Sequence, residues 1–334
     1  MAMTASGRRT IQIVSHGPSC LDGVIAAASV ARFYAGNRLK TTLAANQDSD
    51  RTLCGIKPRD EGGPDELWIT DLSWNSPATG EHLSAIARSG VQIYWIDHHR
   101  TAVSRADAPE FKVPFKGRVL SERYSAARLT LNYLKMKARA LTPEARKNFE
   151  SFTPFAMIAD DHDRWVHKIP ASPDWALAVQ TLGGMESYRE IMRLKEPRMT
   201  RRLKAALEAG RAGMAHSFEI ASATMVERQL HNGIAVRAAS CFGYSSEVAA
   251  RLYAGCVRTV VALFDLRSQG VSLRRSADCE VDLSELARTF GGGGHAAAAG
   301  FATIDVSRAP AEKLVELLGR RLESSSAEPA RIAR

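Results

Sequence analysis

Three residues with metal-ligand chemistry, Asp97, His98 and His99, stand directly after an apolar run, Val91–Ile96, that reads as a buried strand. Two other apolar runs end in the same way: Ile11–Val14 leads to His16, and Leu67–Thr70 leads to Asp71. Taken alone, a His-His pair would be read as a solvated surface loop. Three strands with the same ending predict one shared site, because open α/β sheets place ligands at the carboxyl ends of their strands.

Further imidazole and carboxylate donors stand near other predicted helix ends. Asp22 precedes an Ala-rich helix, and the run Asp160, Asp161, His162, Asp163 follows an apolar segment that starts at Phe155. The alternative for Asp22, Asp160 and Asp163 is helix capping. A mixed nitrogen and oxygen donor set suits Mn²⁺ or Mg²⁺, with Zn²⁺ and Co²⁺ possible. With Asp71 shared, the set could hold two ions that activate a water for attack on phosphorus.

A glycine-rich run, Gly291–Gly294, precedes His295. Four glycines would allow backbone N–H groups to approach an anion, and His295 would add a donor. The run is not a Walker loop, because no Lys-Ser/Thr pair follows the glycines. The alternative is a flexible turn.

Length and composition describe an ordinary globular chain. Its 334 residues are enough for two domains, and the formal charge of +9 favours an anionic partner such as a nucleotide or nucleic acid. Five cysteines without a CxxC pair indicate neither a disulfide framework nor a cysteine-only zinc site. No apolar h-region and no run near the roughly 20 residues that span a bilayer is present, which predicts a cytoplasmic protein without membrane contact.

The alternation of strands and helices predicts an α/β fold with a mostly parallel sheet in residues 1–194. A basic helical connector is expected at 195–230, a smaller α/β domain at 231–320 and a loose tail at 321–334. The second domain includes a predicted hairpin of 259–266 and 270–275. The active site is expected in the cleft between the domains.

These motifs resemble the DHH phosphoesterase family. Asp97-His98-His99, with the motifs of His16, Asp71 and Asp161, matches its first domain, and GGGGHAAAAGF resembles the closing motif of the DHHA1 domain in the nanoRNase and RecJ-type exonuclease branch. The motifs span nearly the whole chain, from His16 to Phe301.

The resemblance implies a phosphodiesterase or exonuclease with two Mn²⁺ ions. His16 and Asp71 would hold the first ion, and the second would be held by Asp22, Asp71, His98 and Asp161. His99 would contact the scissile phosphate, and Asp97 would orient a histidine. The substrate's phosphate or terminal nucleotide would be bound by Arg274, Gly292, Gly293, Gly294 and His295.

One position departs from the family pattern. The first motif usually carries Asp-x-Asp after the histidine, whereas this chain has Cys20-Leu21-Asp22. A thiol is a soft ligand, so Cys20 either ligates and favours a softer ion or leaves the first site weakened. The choice of Asp161 over Asp160 depends on its spacing to Trp165, with Asp163 as a further candidate.

The predicted function is hydrolysis of short RNA or DNA oligonucleotides, or of dinucleotides such as cyclic di-AMP. One alternative is a hydrolase of small phosphate esters or pyrophosphate, although the GGGGH motif argues against pyrophosphatase. Another is a nucleotide-binding sensor whose metal site has decayed at Cys20. The sequence leaves the oligomeric state open, with a homodimer as one candidate.

Overall fold

The computed structural model describes residues 8–302 and 310–325. The chain divides into two compact units, Met1–Gly210 and Arg211–Arg334. Among the described residues, no helix is long and apolar enough to cross a membrane.

The first unit contains a five-stranded sheet in which all the described strands are parallel. Its order is β2-β1-β3-β4-β5, with β1 (Thr10–His16), β2 (Arg38–Ala44), β3 (Glu66–Thr70), β4 (Gln92–Asp97) and β5 (Phe115–Leu120). β1, β3 and β4 are nearly continuous apolar runs because helices cover both faces of such a sheet. The apolar pattern of the sequence does not predict β5, because β5 is an edge strand whose exposed Lys and Arg residues break up that pattern.

The register of this sheet aligns the predicted site residues. Ser15 of β1 pairs with Thr70 of β3, and Thr70 pairs with Ile96 of β4. His16, Asp71 and Asp97 are each the next residue along their chain segments. Parallel pairing therefore places the three at one edge of the sheet.

Nine α-helices are described in the first unit before the unit boundary: α1 (Leu21–Phe33), α2 (Ser49–Cys54), α3 (Pro77–Arg88), α4 (Arg100–Ser104), α5 (Ala126–Lys137), α6 (Pro143–Glu150), α7 (Thr153–Asp163), α8 (Ser172–Leu182) and α9 (Gly184–Ile191). α1 is buried along its whole length and packs against α5, α7 and α9. Its alanines at 26, 27, 28 and 31 are fully buried, which permits this close approach.

The other face of the sheet has an aromatic core. Trp74 and Trp95 are fully buried with ring centroids 4.8 Å apart, and Phe111 packs edge-on against Trp74. The indole N–H of Trp95 donates to the Leu72 carbonyl at 3.0 Å. This bond ties β4 to the segment that follows Asp71 and so stiffens the edge where the site residues lie.

The second unit has a mixed six-stranded sheet in the order β10-β11-β9-β8-β7-β6, in which only the described pair β7–β8 is parallel. The strands are β6 (Val226–Gln229), β7 (Ala235–Cys241), β8 (Thr259–Asp265), β9 (Gly270–Arg275), β10 (Gly293–His295) and β11 (Ala298–Ala302). α10 (Arg201–Thr224) contains the unit boundary, and α11 (Ser245–Tyr253), α12 (Leu283–Arg288) and α13 (Pro310–Ser325) complete the unit. The α/β class and the β8–β9 hairpin agree with the sequence prediction.

Two segments differ from the expected domain plan. The connector expected to be helical over 195–230 is helical only over Arg201–Thr224, and Val226–Gln229 is a strand because its alternate residues face inward and it pairs with β7. The expected tail at 321–334 begins inside α13, which ends at Ser325, and its remainder lies outside the described residues.

Candidate metal centre

Asp71 lies at the centre of the predicted site, directly after β3. Asp71 is only 1% exposed, and its backbone lies in the left-handed region with φ 54°. The Asp71 amide donates to the Ile96 carbonyl at 2.9 Å, which continues the pairing of β3 with β4. Such a conformation is uncommon for residues other than glycine and is found where surrounding structure maintains it, often at functional sites.

His98 lies among three carboxylates. Its Nε2 is 3.3 Å from Asp71 Oδ1, 3.6 Å from Asp163 Oδ2 and 3.7 Å from Asp22 Oδ2. The His98 side chain is only 6% exposed, whereas that of Asp163 is 26% exposed. The group therefore opens to solvent on the Asp163 side, from which an ion or substrate could enter.

The start of α1 brings Cys20 and Asp22 to the same place. The Cys20 thiol lies 3.7 Å from Asp71 Oδ2. The Asp22 carboxylate accepts hydrogen bonds from the backbone amides of Ala126 at 2.8 Å and Ala127 at 3.0 Å, so it also caps the amino end of α5. The alternative considered for Asp22, helix capping, thus occurs together with its place in the cluster, although the helix is α5 and not α1.

Gly23 makes this close approach possible. A Cβ atom at this position would lie 2.0 Å from the His16 carbonyl oxygen and 3.0 Å from Asp71 Oδ2. The Ser15 hydroxyl donates to the Gly23 carbonyl at 2.8 Å, which fixes the end of β1 to the first turn of α1. Only glycine allows the helix to begin so near the carboxyl end of the strand.

Asp97 contacts His99. Asp97 Oδ1 lies 2.8 Å from His99 Nδ1 and also accepts hydrogen bonds from the backbone amides of His98 and His99. Asp97 is fully buried, and the His99 side chain is 27% exposed. This contact fixes the orientation of the His99 ring while part of the ring remains accessible.

The three aspartates of α7 point to different neighbours. Asp160 accepts from the Ser125 amide and forms an ion pair with Arg128 at 2.8 Å, which makes it a cap of α5. Asp161 accepts from the amides of Lys168 and Ile169 and from the Ser172 hydroxyl. The structure therefore does not bring Asp161 to the cluster, and Asp163 lies beside His98 in the place expected for Asp161.

The mutual contacts of these groups shift their pKa values. Burial alone would raise the pKa of Asp71, but its contact with His98 and the nearby charges of His99, His98 and His16 lower it to about 2. Burial would lower the pKa of His98, but Asp71, Asp163 and Asp22 raise it to about 11. Likewise, Asp97 and Asp71 outweigh burial and raise the pKa of His99 to about 9. Without a metal, these neighbouring carboxylates favour the cationic form of both imidazoles, in which both ring nitrogens carry a proton.

The other acidic groups hold their protons more tightly. Burial, followed by the negative charges of Asp71 and Asp163, raises the pKa of Asp22. Burial and the charge of Asp71 also raise the pKa of the Cys20 thiol, and burial raises that of Asp163. Such a dense group of acidic side chains with raised pKa values is a marker of functional sites. A divalent cation would replace the protons that these side chains hold.

The residues present fit a divalent cation. Among the described residues, His16 Nδ1 and Asp71 Oδ1 are buried atoms that make no hydrogen bond of good geometry, although Asp71 Oδ1 lies near His98. Two sets of three side chains in the first unit have donor atoms close enough to share an ion. The first set is Asp22, His98 and Asp163, and the second is Asp71, Asp97 and His99. Buried polar atoms are normally paired, so this nitrogen and this oxygen are available as ligand atoms.

The glycine-rich motif in the second unit forms an edge strand, β10, paired with β11. Ala298 of β11 is the register partner of both His295 and Arg274, so the structure brings these two predicted residues to the same row of the sheet. The Arg274 guanidinium donates to the Ser246 hydroxyl at 2.7 Å, and burial lowers its pKa. Gly292 and Gly294 lie against the backbone of Gly300 and Ala298, where a Cβ atom would clash. The motif is thus a tightly packed hairpin and not a loose turn.

Comparison with solved structures places this architecture among DHH-domain proteins, whereas no family model and no curated protein matches the sequence. A DHH-domain protein described as a member of the s1p family of ribosomal proteins is 14% identical, with 94% of this chain and 86% of that chain covered and a TM-score of 0.67. RecJ from Thermus thermophilus, solved with Mn²⁺, is 15% identical, with 96% and 52% covered and a TM-score of 0.54. The pGpG-specific phosphodiesterase PggH from Vibrio cholerae is 13% identical, with 95% and 99% covered and a TM-score of 0.52.

The chain thus has the fold of the DHH-domain proteins, and the predicted resemblance is confirmed at the level of the fold. It spans about half the length of the RecJ chain and nearly the whole of PggH.

The sequence predicted Asp161 as the metal ligand of α7, whereas Asp163 is the aspartate that lies beside His98. Spacing to Trp165 favoured Asp161, but side-chain direction on the last turn of α7 is decided by the 168–172 segment, which binds Asp161. Helical periodicity shows that residues two apart point in different directions and cannot both face the same site, but it does not show which of the two does.

Proposed function

We propose that this chain is a metal-dependent phosphodiesterase that hydrolyses short oligonucleotides or dinucleotides, cyclic ones included, to mononucleotides. The observation that carries the proposal is the group formed by Asp22, Asp71, His98 and Asp163 at the carboxyl edge of the parallel sheet. The DHH-domain fold supports it, because proteins described as RecJ exonuclease and as a pGpG-specific phosphodiesterase share that fold. Fold alone does not define activity, so the donor set is the stronger argument.

Two divalent ions would be held here, with Mn²⁺ as the natural choice and Mg²⁺, Co²⁺ or Zn²⁺ as possible substitutes. His16 and Asp71 would hold the first ion. Asp71, Asp22, His98 and Asp163 would hold the second, with Asp163 in the role first assigned to Asp161. RecJ structures that contain Mn²⁺ or Mg²⁺ support this choice of hard, oxygen-preferring ions.

The bound ions would polarise the phosphate and activate a water molecule for in-line attack. The residues of the chain would orient the reaction. Asp97 holds Nδ1 of His99, so the second ring nitrogen, Nε2, would be the one to contact a phosphate oxygen. Asp97 also raises the pKa of His99 and so favours its protonated form, which suits a group that stabilises a leaving oxygen and supplies a proton to it.

We propose that residues of the second unit bind a phosphate or a terminal nucleotide. We assign this role to Arg274, His295 and the backbone of Gly292–Gly294. A guanidinium is the usual partner of a phosphate because its fork of N–H groups matches the phosphate oxygens. The formal charge of +9 favours the same anionic class of substrate.

Dinucleotides are the substrate class that we favour. PggH, whose described substrate is pGpG, matches this chain along nearly the full length of both proteins. RecJ carries about as much chain again outside the matched part. The match along both whole chains makes PggH the better guide to the substrate than RecJ, of which about half is matched.

The test is hydrolysis of linear pApA, a five-nucleotide RNA and cyclic di-AMP by metal-stripped protein reloaded with Mn²⁺, Co²⁺ or Zn²⁺. His98→Ala is expected to abolish turnover. His216→Ala, which replaces a histidine with a 68% exposed side chain, is the matched control and is expected to retain activity.

Nucleotide binding without turnover under any of these metals would overturn the proposal and favour a nucleotide-binding sensor. Turnover of simple phosphate esters with no preference for nucleotides would favour a small phosphate ester hydrolase. A cytoplasmic location and a homodimer stay predictions of the sequence.

A further inference from the structure

The segment that follows Asp163 presents two aromatic rings at the surface of the first unit. Trp165 is 39% exposed, whereas Trp68, Trp74, Trp95 and Trp175 are at most 2% exposed. The His167 ring lies against Trp165 with centroids 4.3 Å apart. An indole that remains this exposed contributes little to the core and leaves an aromatic face open to a ligand.

Both residues have a backbone that side chains disfavour. Trp165 has φ 55° and His167 has φ 51°, in the left-handed region. A bulky residue in this region is a genuine outlier, and such outliers concentrate at ligand sites where neighbouring structure maintains them.

Asp161 is the group that maintains this conformation. Its carboxylate accepts from the Lys168 amide at 2.8 Å, the Ile169 amide at 3.1 Å and the Ser172 hydroxyl at 2.5 Å. Its backbone carbonyl accepts from the amides of Val166 and His167. A buried carboxylate with three donors fixes the loop and therefore fixes the two rings.

The rings lie near the proposed catalytic group along the chain. Asp163 Oδ2 is 3.6 Å from His98 Nε2, and Trp165 is two residues further, so the Cα atoms of Asp163 and Trp165 are at most about 7.6 Å apart. Arg164 stands between them in sequence.

Arg164, which directly precedes Trp165 in sequence, belongs to a group of three arginines around Tyr124. The guanidinium carbons of Arg128, Arg123 and Arg164 lie 3.9, 5.3 and 5.9 Å from the centre of the Tyr124 ring. Arg128 is paired with Asp160, and Arg164 lies 3.8 Å from the same carboxylate. Exposed aromatic rings beside arginines are the combination by which proteins bind single-stranded nucleic acids, through base stacking and phosphate attraction.

We infer that Trp165 and His167 form a stacking surface for a nucleobase of the substrate, with Asp161 as a positioning residue that holds the loop. The inference rests on the proposed function for the identity of the ligand. In this view the enzyme recognises a nucleobase next to the scissile phosphate as well as the phosphate itself.

The experiment compares pApA with the same dinucleotide in which one or the other adenine is replaced by an abasic residue. The four buried tryptophans also emit, so binding is followed by the part of the tryptophan fluorescence that Trp165→Phe removes, in metal-stripped protein and in protein loaded with Ca²⁺. We expect pApA to quench this emission and at least one abasic analogue to bind with little quenching.

Trp165→Ala is expected to weaken pApA binding about tenfold to a hundredfold and to leave binding of that abasic analogue unchanged. Trp165→Phe, which keeps an aromatic face, is expected to retain most of the affinity for pApA. This affinity is measured by calorimetry, because the variant lacks the Trp165 emission. Phe242→Ala removes a 47% exposed aromatic ring from the second unit and serves as the control, with no expected change.

Equal weakening of pApA and both abasic analogues by Trp165→Ala would overturn the inference, as would pApA binding that leaves Trp165 emission unchanged. These binding readouts do not need turnover. If pApA quenches Trp165 and is not hydrolysed under any metal, the proposed catalytic function fails while the stacking surface stands.

Discussion

The cluster around Asp71 and the glycine-rich hairpin were both predicted from motifs, but they are built on different physical grounds. In the first unit, buried charged groups lie within 4 Å of one another, and they are there at the cost of repulsion and desolvation. In the second unit, Gly292 and Gly294 are required because backbone atoms of β11 occupy the space of a side chain. The chemistry of a ligand explains the first arrangement, whereas packing alone is enough to explain the glycines of the second.

The two motifs therefore differ in their value as markers of a site. A buried carboxylate oxygen without a hydrogen bond of good geometry, such as Asp71 Oδ1, calls for an explanation, and a bound cation supplies one. A glycine that a neighbouring strand requires would be retained without any ligand. In the second unit, Arg274 and His295 therefore carry more of the functional argument than the glycines do.

The largest effect should follow from removal of the shared carboxylate. Asp71→Asn is expected to lower phosphodiesterase turnover by about a hundredfold to a thousandfold and to reduce bound Mn²⁺, because both proposed ion sites use Asp71. Metal content by elemental analysis and turnover of pApA check this prediction. Retention of two ions per chain in Asp71→Asn would show that the cluster is not the metal centre.

The next effect separates two neighbouring aspartates. Asp163→Asn should weaken Mn²⁺ binding by about tenfold to a hundredfold, because it removes a donor beside His98. Asp161→Asn should leave Mn²⁺ binding unchanged and instead lower stability by about 1.5–3 kcal/mol, because the loop loses bonds to a charged group. Calorimetric titration with Mn²⁺ and thermal unfolding measure both. The reverse pattern would restore Asp161 as the ligand.

The third effect concerns the thiol at the cluster. Cys20→Asp is expected to raise Mn²⁺ affinity about tenfold over the wild type, because a carboxylate suits this ion better than a thiol whose raised pKa keeps it protonated. Cys54→Asp, at an exposed cysteine, is the control. If Cys20→Asp instead lowers affinity for Co²⁺ or Zn²⁺ and does not improve that for Mn²⁺, Cys20 is itself a ligand for a softer ion.

The fourth effect tests whether packing explains the glycines of the hairpin. Gly292→Ala should destabilise the second unit by about 1–3 kcal/mol, because its Cβ would lie 2.1 Å from the Gly300 carbonyl oxygen. A Cβ at Gly291 meets no described atom within 4 Å and has only the strain of φ 75°, so Gly291→Ala should cost about 1–2 kcal/mol at most. Hydrogen exchange of β10 and β11 reports the difference. Equal protection in both variants would remove the packing explanation.

The last effect is a pH dependence that belongs to the first unit. In metal-free protein the pKa values of His98 and His99 are raised from 6.5 to about 11 and about 9, so both groups stabilise the fold fully below pH 6.5. This stabilisation is lost as pH rises through the folded-state values, because the unfolded chain then binds fewer protons. The melting temperature of metal-stripped protein should fall between pH 6.5 and 9.

The control for this pH dependence is His98→Gln, which should flatten the decline. A melting temperature that rises over the same range would contradict it. Mn²⁺ binding should release protons near neutral pH, since the ion replaces a proton on His98. Calorimetry in buffers of different ionisation enthalpy measures that release.

Much of the fold and part of the site could be predicted from local patterns. The apolar runs of β1, β3 and β4 ending in His16, Asp71 and Asp97 sufficed, since parallel strands bring their carboxyl ends to one edge. β5 was not predicted, because an exposed edge strand has a weak apolar pattern. The four-residue strand β6 was not predicted either, because no turn signal separates its sequence from the preceding helix.

Sequence by itself determined which residue types are present at the ends of the central strands, and hence the class of chemistry, since nearly continuous apolar runs mark those strands and the ligand-type residues follow them directly. Only the tertiary structure decided that Asp163, not Asp161, faces His98, and that Asp22 serves α5 as well as the cluster. The physical reason is that these choices depend on contacts between segments far apart in the chain. Donors at Lys168, Ile169 and Ser172 turn Asp161 away, and no pattern within α7 contains that information.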